Sequence, residues 1–339
     1  MAGSSFVWPG RPVPRDMPET PFGAANGSLR VTSLCAQIGS LGAWLHFAIA
    51  VGSRVQDVDF SGVPVLRLMT INTLYKPPVE QRWKELAAWV TAEGPDVICL
   101  QECRREDGQD VASWLASSLP AAWFVAFGGV EGRDGCWSGN AVLSRWPIEH
   151  EGQSRLQCED TWPKVVLHAR TAGLDIYCVH LTAALDGAVV REAQVLFVAD
   201  FIQATADPSS ALPPVLAGDF NAGPRSSAIA FLRGECSLAG RSAFYQDSWA
   251  VAGNGPGNTW DHANPLTPPA YCYDARCDYI FVGVPKVPVG WSSGAREDLA
   301  PAGQVTAARV VCDRQLTSHM ASDHYGVLAE VCWPGRPST

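Results

Sequence analysis

The sequence predicts an α/β protein, because short apolar strands alternate with helical segments along most of the chain. Two apolar runs, at residues 96–100 and 215–221, are bounded by turn-forming residues, as buried strands usually are. Two segments, at residues 80–93 and 189–204, have apolar residues at helical spacing. An alternation of these two patterns is typical of the α/β class.

The remaining elements of residues 62–333 follow the same pattern. Further strands are predicted at residues 65–71, 123–127, 140–144, 165–169, 174–179, 279–282 and 325–331, and shorter helices at residues 110–119 and 226–232. No internal repeat or linker divides this part of the sequence. We therefore predict one domain over residues 62–333, followed by a short tail at 334–339.

The first sixty-one residues differ from the rest, and we predict that residues 1–61 form a partly disordered extension. Residues 1–30 are rich in Pro, Gly and Ser and lack periodicity. The apolar stretch at residues 34–52 is barely long enough to span a membrane and is interrupted by Gln37, Ser40 and His46. We favour a packed or amphipathic segment there. Membrane contact, processing and a misassigned start are the alternatives.

The overall composition is that of a globular protein. Hydrophobic residues make up 47% of the 339 residues, enough for a sizeable core. The formal net charge of −9 disfavours extended, non-specific binding to nucleic acid, although it leaves room for a small basic groove. The 11 cysteines lack paired zinc-ligand spacing, so a reducing compartment is the simpler interpretation. We expect a cytoplasmic monomer.

Polar side chains recur at the predicted ends of the strands. Each one alone has an ordinary explanation, such as a turn, a surface acid or a structural histidine. Five separate strand ends with groups that can bind metal or transfer protons favour a shared site, because open α/β sheets bind ligands at the ends of their strands. The residues in question are Asn72, Glu102, His180, Asp219, Asn221, Asp278, Asp323 and His324.

The short motifs that contain these residues resemble the endonuclease/exonuclease/phosphatase superfamily of deoxyribonuclease-like, metal-dependent hydrolases. Their order and spacing match that superfamily over roughly residues 66–331. The resemblance implies a four-layer α/β/β/α sandwich, in which two packed mixed β-sheets are flanked by helices. The motifs stand at residues 69–72, 96–102, 139–144, 179–181, 218–221, 278–281 and 322–324.

The resemblance also implies a cofactor, Mg²⁺ or Mn²⁺. Glu102, Asn72 and Asp323 are the implied ligands, and hard oxygen donors of this kind suit those cations. The metal would neutralise phosphate oxygens and stabilise the leaving oxygen. Whether one or two metals bind is left open.

The implied catalytic residues surround the phosphate. His324 would lie near the scissile phosphate, with Asp278 orienting and charging it. Asp219 would orient or deprotonate the attacking water, and Asn221 and His180 would donate hydrogen bonds to the developing charge. Whether Asp219 or the Asp278–His324 pair is the general base stays open at this point.

Two local features stand beside this pattern. The segment at residues 259–265 resembles a loop near the mouth of the site in bacterial members, where Trp260 would stack on a base or sugar, shield a lipid head group or plug the sandwich edge. Cys277 replaces the apolar residue that often precedes the Asp278 equivalent. It leaves open a disulfide with Cys272.

The predicted function is therefore metal-dependent hydrolysis of phosphate esters, first of all of phosphodiesters, by direct attack of an activated water. The enzyme alternatives are a nuclease on DNA or RNA, an inositol or sugar phosphatase and a sphingomyelinase-like phospholipase. A nuclease should have a basic groove, for which Arg104, Arg105 and Arg133 are the nearby candidates. Outside the enzymes, the alternative is an inactive binding scaffold.

Overall fold

The computed structural model describes residues 62–76, 79–132, 134–158, 163–269, 273–284 and 302–338. The predicted extension at residues 1–61, with its apolar stretch at 34–52, lies outside the described residues. Among the helices that are described, none is long and apolar enough to cross a membrane.

The described residues form twelve strands and five helices. The strands are β1 (Val65–Asn72), β2 (Val97–Arg105), β3 (Phe124–Glu131), β4 (Trp137–Ser144), β5 (Ile148–Leu156), β6 (Lys164–Thr171), β7 (Leu174–His180), β8 (Val215–Asp219), β9 (Gln246–Asp247), β10 (Asp278–Val282), β11 (Val305–Val311) and β12 (Gly326–Cys332). The helices are α1 (Val79–Glu93), α2 (Val111–Ser118), α3 (Ala188–Thr205), α4 (Ser227–Leu232) and α5 (Ser248–Ala252).

These strands make two mixed six-stranded sheets. The first sheet has the order β11-β12-β1-β2-β4-β3, and the second has the order β5-β6-β7-β8-β10-β9. Strands β1 and β2 run parallel, as do β7 and β8, and the other neighbouring pairs run antiparallel. Each sheet therefore has one parallel pair near its centre.

The central strands are apolar on both faces, which places the sheets between two layers of helices. In β2, Val97 and Cys99 belong to the core between the sheets, whereas Ile98 and Leu100 pack in a second core with the residues of α1 and α2. In the second sheet, Leu216 packs in a third core with residues of α3 and α4. Strands buried on both faces read as continuous apolar runs, which is why the sequence revealed them. The predicted four-layer sandwich is confirmed.

Three strands and one helix are absent from the sequence-based prediction. Strands β5, β9 and β11 each lie at the edge of a sheet. An edge strand has one unpaired side and more solvent exposure, so it lacks the apolar run that marks a central strand. Strand β5, for example, alternates between exposed and partly buried residues until its last position. Helix α5, with five residues, is too short to show a clear period.

The pairing brings the polar strand ends to one end of the sandwich. In the second sheet His180 lies opposite Asp219, and Asp278 lies opposite Asp219 on its other side. In the first sheet Asn72 pairs with Gln101, next to Glu102. Strand β12 runs antiparallel to β1, so its start, which follows His324, also lies there.

Candidate active site

Asp219 reaches the centre of this end because β7 and β8 approach closely at Gly218. A Cβ atom on Gly218 would lie 1.9 Å from the carbonyl oxygen of Val179, and the residue has φ +147°. Glycine is the residue that tolerates both conditions. The glycine before the acid is therefore required by the pairing that aligns Asp219 with His180.

Glu102 enters the site through an irregularity in β2. Its φ is 55°, and the pairing of β2 with β4 shifts register between Leu100 and Cys103. An extra residue of this kind re-aims a side chain and is common beside active sites. The consequence is that Glu102 Oε1 lies 3.2 Å from the side-chain nitrogen of Asn72.

Asn72 joins the two sheets at the site. Its Nδ2 donates to Glu102 Oε1 at 3.2 Å and to Asp219 Oδ2 at 3.1 Å. Its Oδ1 accepts a hydrogen bond from the backbone N–H of Leu74 at 3.0 Å. In this orientation Asn72 links two carboxylates through one amide nitrogen, and its oxygen accepts the hydrogen bond from Leu74.

Asp219 is a buried carboxylate whose environment opposes ionisation. Burial raises its pKa to about 6, and the nearby carboxylate of Asp278 acts in the same direction. His324 and the hydrogen bonds from Asn72 and from the backbone N–H of Asn221 partly oppose this rise. A carboxyl group with a pKa near 6 is suited to accept a proton at neutral pH.

His324 and Asp278 form a buried pair beside Asp219. His324 Nδ1 donates to Asp278 Oδ2 at 2.9 Å, and His324 Nε2 lies 3.8 Å from Asp219 Oδ2. Burial opposes the charged form of His324. The carboxylates of Asp278 and Asp219 outweigh this effect and raise the His324 pKa well above its ordinary value. These neighbours favour the imidazolium form of His324, which Asp278 orients through Nδ1.

His180 is favoured in its neutral form, in contrast to His324. Lys164 contributes to this effect and was not among the residues predicted from the sequence. Burial, followed by the charges of Lys164 and His324, lowers the pKa of His180 well below its ordinary value. Lys164 Nζ lies 3.0 Å from His180 Nε2, and the Lys164 side chain lines the cleft. The only signal for Lys164 was a basic residue at the start of a predicted strand.

Asn221 and Asp323 complete the predicted set. The backbone N–H of Asn221, which has φ 47°, donates to Asp219 Oδ1 at 2.8 Å, and its side-chain nitrogen donates to the carbonyl of Leu181 at 3.1 Å. The turn expected from the sequence and the proposed site therefore coincide here. Burial raises the pKa of Asp323, and the negative charge of Glu102 adds to this rise.

All but one of the eight predicted residues line a single cleft of about 520 Å³, and Asp278 lies fully buried behind His324. The cleft residues among the eight are Asn72, Glu102, His180, Asp219, Asn221, Asp323 and His324. Asn140 was part of a motif but had no predicted role. Its Nδ2 donates to the carbonyls of Val165 and Cys178 in the other sheet, at 3.0 and 3.3 Å.

The donor set fits a hard divalent cation. Glu102 and Asp219 present carboxylate oxygens to the same amide. Burial raises the pKa of Asp219 and of Asp323, and the Glu102 charge adds to the rise for Asp323, so a cation would stabilise the ionised carboxylates. Ligand atoms of Asp219, Asp278 and His324 lie within 4.8 Å of one another, but His324 already donates to Asp278. Asp278 Oδ1 is buried and has no hydrogen-bond partner among the described residues.

The loop at residues 259–267 supports these groups. Thr259 Oγ1 accepts the backbone N–H of Cys277 at 3.0 Å and of Asp278 at 3.1 Å. The Trp260 ring lies 4.9 Å from the His324 ring at 66°, and Trp260 also lines the cleft. Cys277 is a free, buried thiol, and Cys272 lies outside the described residues.

The two described arginines expected for a nuclease groove are paired with carboxylates, and Arg104 also lines the cleft. Arg104 donates to Asp134 Oδ2 at 2.9 Å, and Arg105 Nε donates to Asp110 Oδ2 at 2.6 Å. Arg133 lies outside the described residues. These pairs reduce the positive charge that the two described arginines offer to a polyanion.

Comparison with known proteins agrees with this geometry. A model of the Endonuclease/Exonuclease/phosphatase family matches residues 69–324. An endonuclease/exonuclease/phosphatase structure from Beutenbergia cavernae DSM 12333 is 24% identical, covering 81% of this chain and 73% of its own, with a TM-score of 0.57. A search of curated protein sequences gives no match.

Two TDP2 structures are similar in fold. Truncated Caenorhabditis elegans TDP2 is 19% identical, with coverage of 79% of this chain and 98% of its own and a TM-score of 0.56. D. rerio TDP2, complexed with a single strand DNA product, is 20% identical, with coverage of 78% and 98% and a TM-score of 0.57.

Proposed function

Because the chain belongs to the endonuclease/exonuclease/phosphatase family, whose members are hydrolases of phosphoester bonds, we propose that it is a divalent-metal-dependent phosphodiesterase. The observation that carries the proposal is the convergence of Glu102, Asp219 and His324 on one cleft. An inactive scaffold would not require buried, mutually repelling carboxylates, which cost stability.

In the proposed mechanism Asp219 is the general base. It is held by Asn72 and by the backbone of Asn221, so its carboxylate is oriented before a substrate binds. His324 Nδ1 is occupied by Asp278, and its charged form has no free lone pair with which to accept a proton. Its Nε2–H is therefore a donor to the phosphate, and Asp278 is the residue that keeps it charged.

The cationic groups of the cleft would stabilise the developing charge on phosphate. Lys164 Nζ donates to Nε2 of the neutral His180 imidazole, and the remaining N–H groups of the Lys164 ammonium offer donors to phosphate oxygens from the second sheet. A divalent cation, when bound, would neutralise the phosphate oxygens and stabilise the leaving oxygen. Glu102, Asn72 and Asp323 are proposed to hold the cation. Asn72 would bind it through the amide oxygen if the amide group is flipped, and in its present orientation it positions Glu102 by a hydrogen bond.

We favour small phosphodiesters over long nucleic acids. The net charge of −9 opposes the approach of a polyanion, and Arg104 and Arg105 are paired with carboxylates. The second candidate is a nuclease, which is favoured by the similar fold of the D. rerio TDP2 that was crystallised with a DNA product.

The test is hydrolysis of matched substrates with and without metal. We expect bis(p-nitrophenyl) phosphate to be cleaved with Mg²⁺ or Mn²⁺, and activity to vanish in chelator and return on adding metal. Glu102→Gln should weaken metal affinity, measured by calorimetry, by at least about tenfold and lower turnover. Glu106→Gln, at an exposed position four residues away, is the matched control.

Three outcomes would contradict parts of the proposal. Full activity in chelator would show that the reaction does not require a metal. A parent-like metal affinity in Glu102→Gln would show that Glu102 is not a metal ligand. Tight binding and processive cleavage of DNA at physiological salt would favour the nuclease over the small-phosphodiester enzyme.

A further inference from the structure

One rim of the cleft is apolar and open to solvent. Ala183, Ala184 and Leu185 follow β7, and Pro268 and Tyr273 precede β10; all of them line the cleft. Leu185 is 61% exposed and Tyr273 is 43% exposed. We call these five residues the apolar rim.

Two more exposed apolar side chains lie close in sequence to the rim. Val189, in the first turn of α3 and four residues after Leu185, is 77% exposed, and Leu266, in the loop before β10, is 37% exposed. Four of the ten large apolar side chains that are exposed among the described residues therefore belong to these two segments. Exposed apolar residues that cluster beside a cleft mark a binding surface more often than isolated ones do.

The topology places the rim directly beside the reacting group. Strands β7 and β10 are the two neighbours of β8, and the carboxyl end of β7 and the start of β10 lie at the end of β8 that carries Asp219. The segments that carry Leu185 and Tyr273 are therefore attached on either side of Asp219. A substituent that extends from the phosphate toward these loops would contact the apolar rim.

The other walls of the same cleft differ from the rim because they contain basic side chains. The first sheet and its loops contribute Lys76 and Arg104, and β6 contributes Lys164, beside apolar residues such as Leu74 and Val165. A phosphodiester has two substituents on phosphorus, so a cleft with two unlike sides discriminates between them.

We propose that the substrate is an asymmetric phosphodiester with an aliphatic substituent that lies on the apolar rim. This inference rests on the proposed phosphodiesterase activity. Four of the five rim side chains, those of Ala183, Ala184, Leu185 and Pro268, have no donor or acceptor with which to recognise the edge of a nucleobase, and Tyr273 contributes the single hydroxyl. The net charge also disfavours a nucleic-acid chain as the source of the substituent.

The experiment compares methyl, hexyl and thymidine-5′ esters of p-nitrophenyl phosphate in the presence of Mn²⁺. Each buried methylene is worth about a fourfold gain, so burial of even part of the chain should raise kcat/KM for the hexyl ester at least about tenfold above the methyl ester. Leu185→Ser combined with Tyr273→Ser should bring that ratio close to one. Phe197→Ser, an exposed apolar position on α3 outside the cleft lining, should keep the parent ratio.

A second measurement separates this inference from the proposed function. Calorimetry of hexyl phosphate and methyl phosphate gives the same ratio as a binding constant and needs no turnover. If no ester is hydrolysed, the proposed function fails, and the binding ratio still tests the rim. Equal binding of the two phosphates, or a thymidine ester that exceeds the hexyl ester in kcat/KM, would overturn the inference.

Discussion

Two buried aspartates mark opposite ends of the second sheet, and their surroundings differ in kind. Asp175, near the start of β7, accepts hydrogen bonds from His168 Nε2 at 2.9 Å, Ser210 Oγ at 2.7 Å and the backbone N–H of Asp207 at 2.9 Å. Burial alone would raise the pKa of Asp175, but these bonds outweigh it and lower the pKa. At the other end, burial and Asp278 raise the pKa of Asp219 to about 6.

The difference agrees with a stabilising role for the Asp175 end and with the chemistry that we propose for the Asp219 end. A carboxylate that is ionised and fully bonded stabilises the fold, whereas one that is crowded by another carboxylate keeps a proton affinity useful for catalysis. Both residues are buried acids in adjacent central strands. Burial by itself therefore does not identify a catalytic carboxylate. Its hydrogen-bond partners and neighbouring charges do.

The largest expected effect is the loss of turnover in Asp219→Asn. Removing a general base costs on the order of a hundred- to ten-thousand-fold in rate, and we expect kcat to fall by at least the smaller factor. The melting temperature should stay the same or rise, because a strained carboxylate is removed. Asp175→Asn is the matched control, which should lower the melting temperature and keep turnover per folded molecule. If the two variants behave alike in kcat, the contrast between the two ends is wrong.

The next effect concerns pH and is measured in chelator, without metal. The folded protein keeps the Asp219 proton up to about pH 6, whereas the unfolded chain releases it near the ordinary value of 3.8. The folded state therefore binds more protons between these values, and the free energy of unfolding falls as pH rises through this window. The shift corresponds to about 3 kcal/mol at neutral pH. Asp219→Asn should lack this decrease in urea unfolding at pH 4, 5, 6 and 7.

In the same experiment, the contribution of Asp175 to the free energy of unfolding should change with pH in the opposite direction. Its pKa is lowered, so the stability it contributes is present above the ordinary aspartate value and is lost as pH falls through the folded value. Asp175→Asn should therefore lose stability relative to the parent near neutral pH and approach it in acid. A parent-minus-variant difference of the same sign for both residues would contradict the assignment.

The smallest effect is that of Thr259→Val. This change keeps the shape but removes the oxygen that accepts the N–H groups of Cys277 and Asp278. A small displacement of Asp278 should reorient His324 and lower kcat on the order of tenfold, with less effect on KM. Thr171→Val, at the other end of the sandwich where Thr171 Oγ1 donates to the carbonyl of Trp146, should destabilise the fold without changing kcat. Equal losses of kcat would show that Thr259 has only a structural role.

Much of the fold could be predicted because the burial of the central strands is evident from their own apolar residues. Residues 97–100 and 215–217 are apolar at every position, so they stand out locally. Strands β5 and β11 could not be predicted in this way. Both are edge strands, and they are held in place by pairing with β6 and β12 rather than by an apolar run of their own.

The same division applies to the site. The eight polar residues could be selected because they stand at strand ends and match family motifs, but their proximity depends on contacts between distant parts of the chain. Asn72 and Asp219 are separated by 147 positions and meet through a hydrogen bond of 3.1 Å. Lys164 had no motif, and only the antiparallel pairing of β6 with β7 brings it to His180.

The sequence by itself determined the α/β class, the central strands, the family and the residue types available for phosphate chemistry, because each of these is encoded in local patterns and their order. The tertiary structure alone decided which carboxylates share a charge environment, that Glu102 points into the cleft, and that one rim of the cleft is apolar. The physical reason is that these properties depend on register and on packing between the sheets. Electrostatic coupling and burial act over a few ångströms in space, whatever the separation of the residues along the chain.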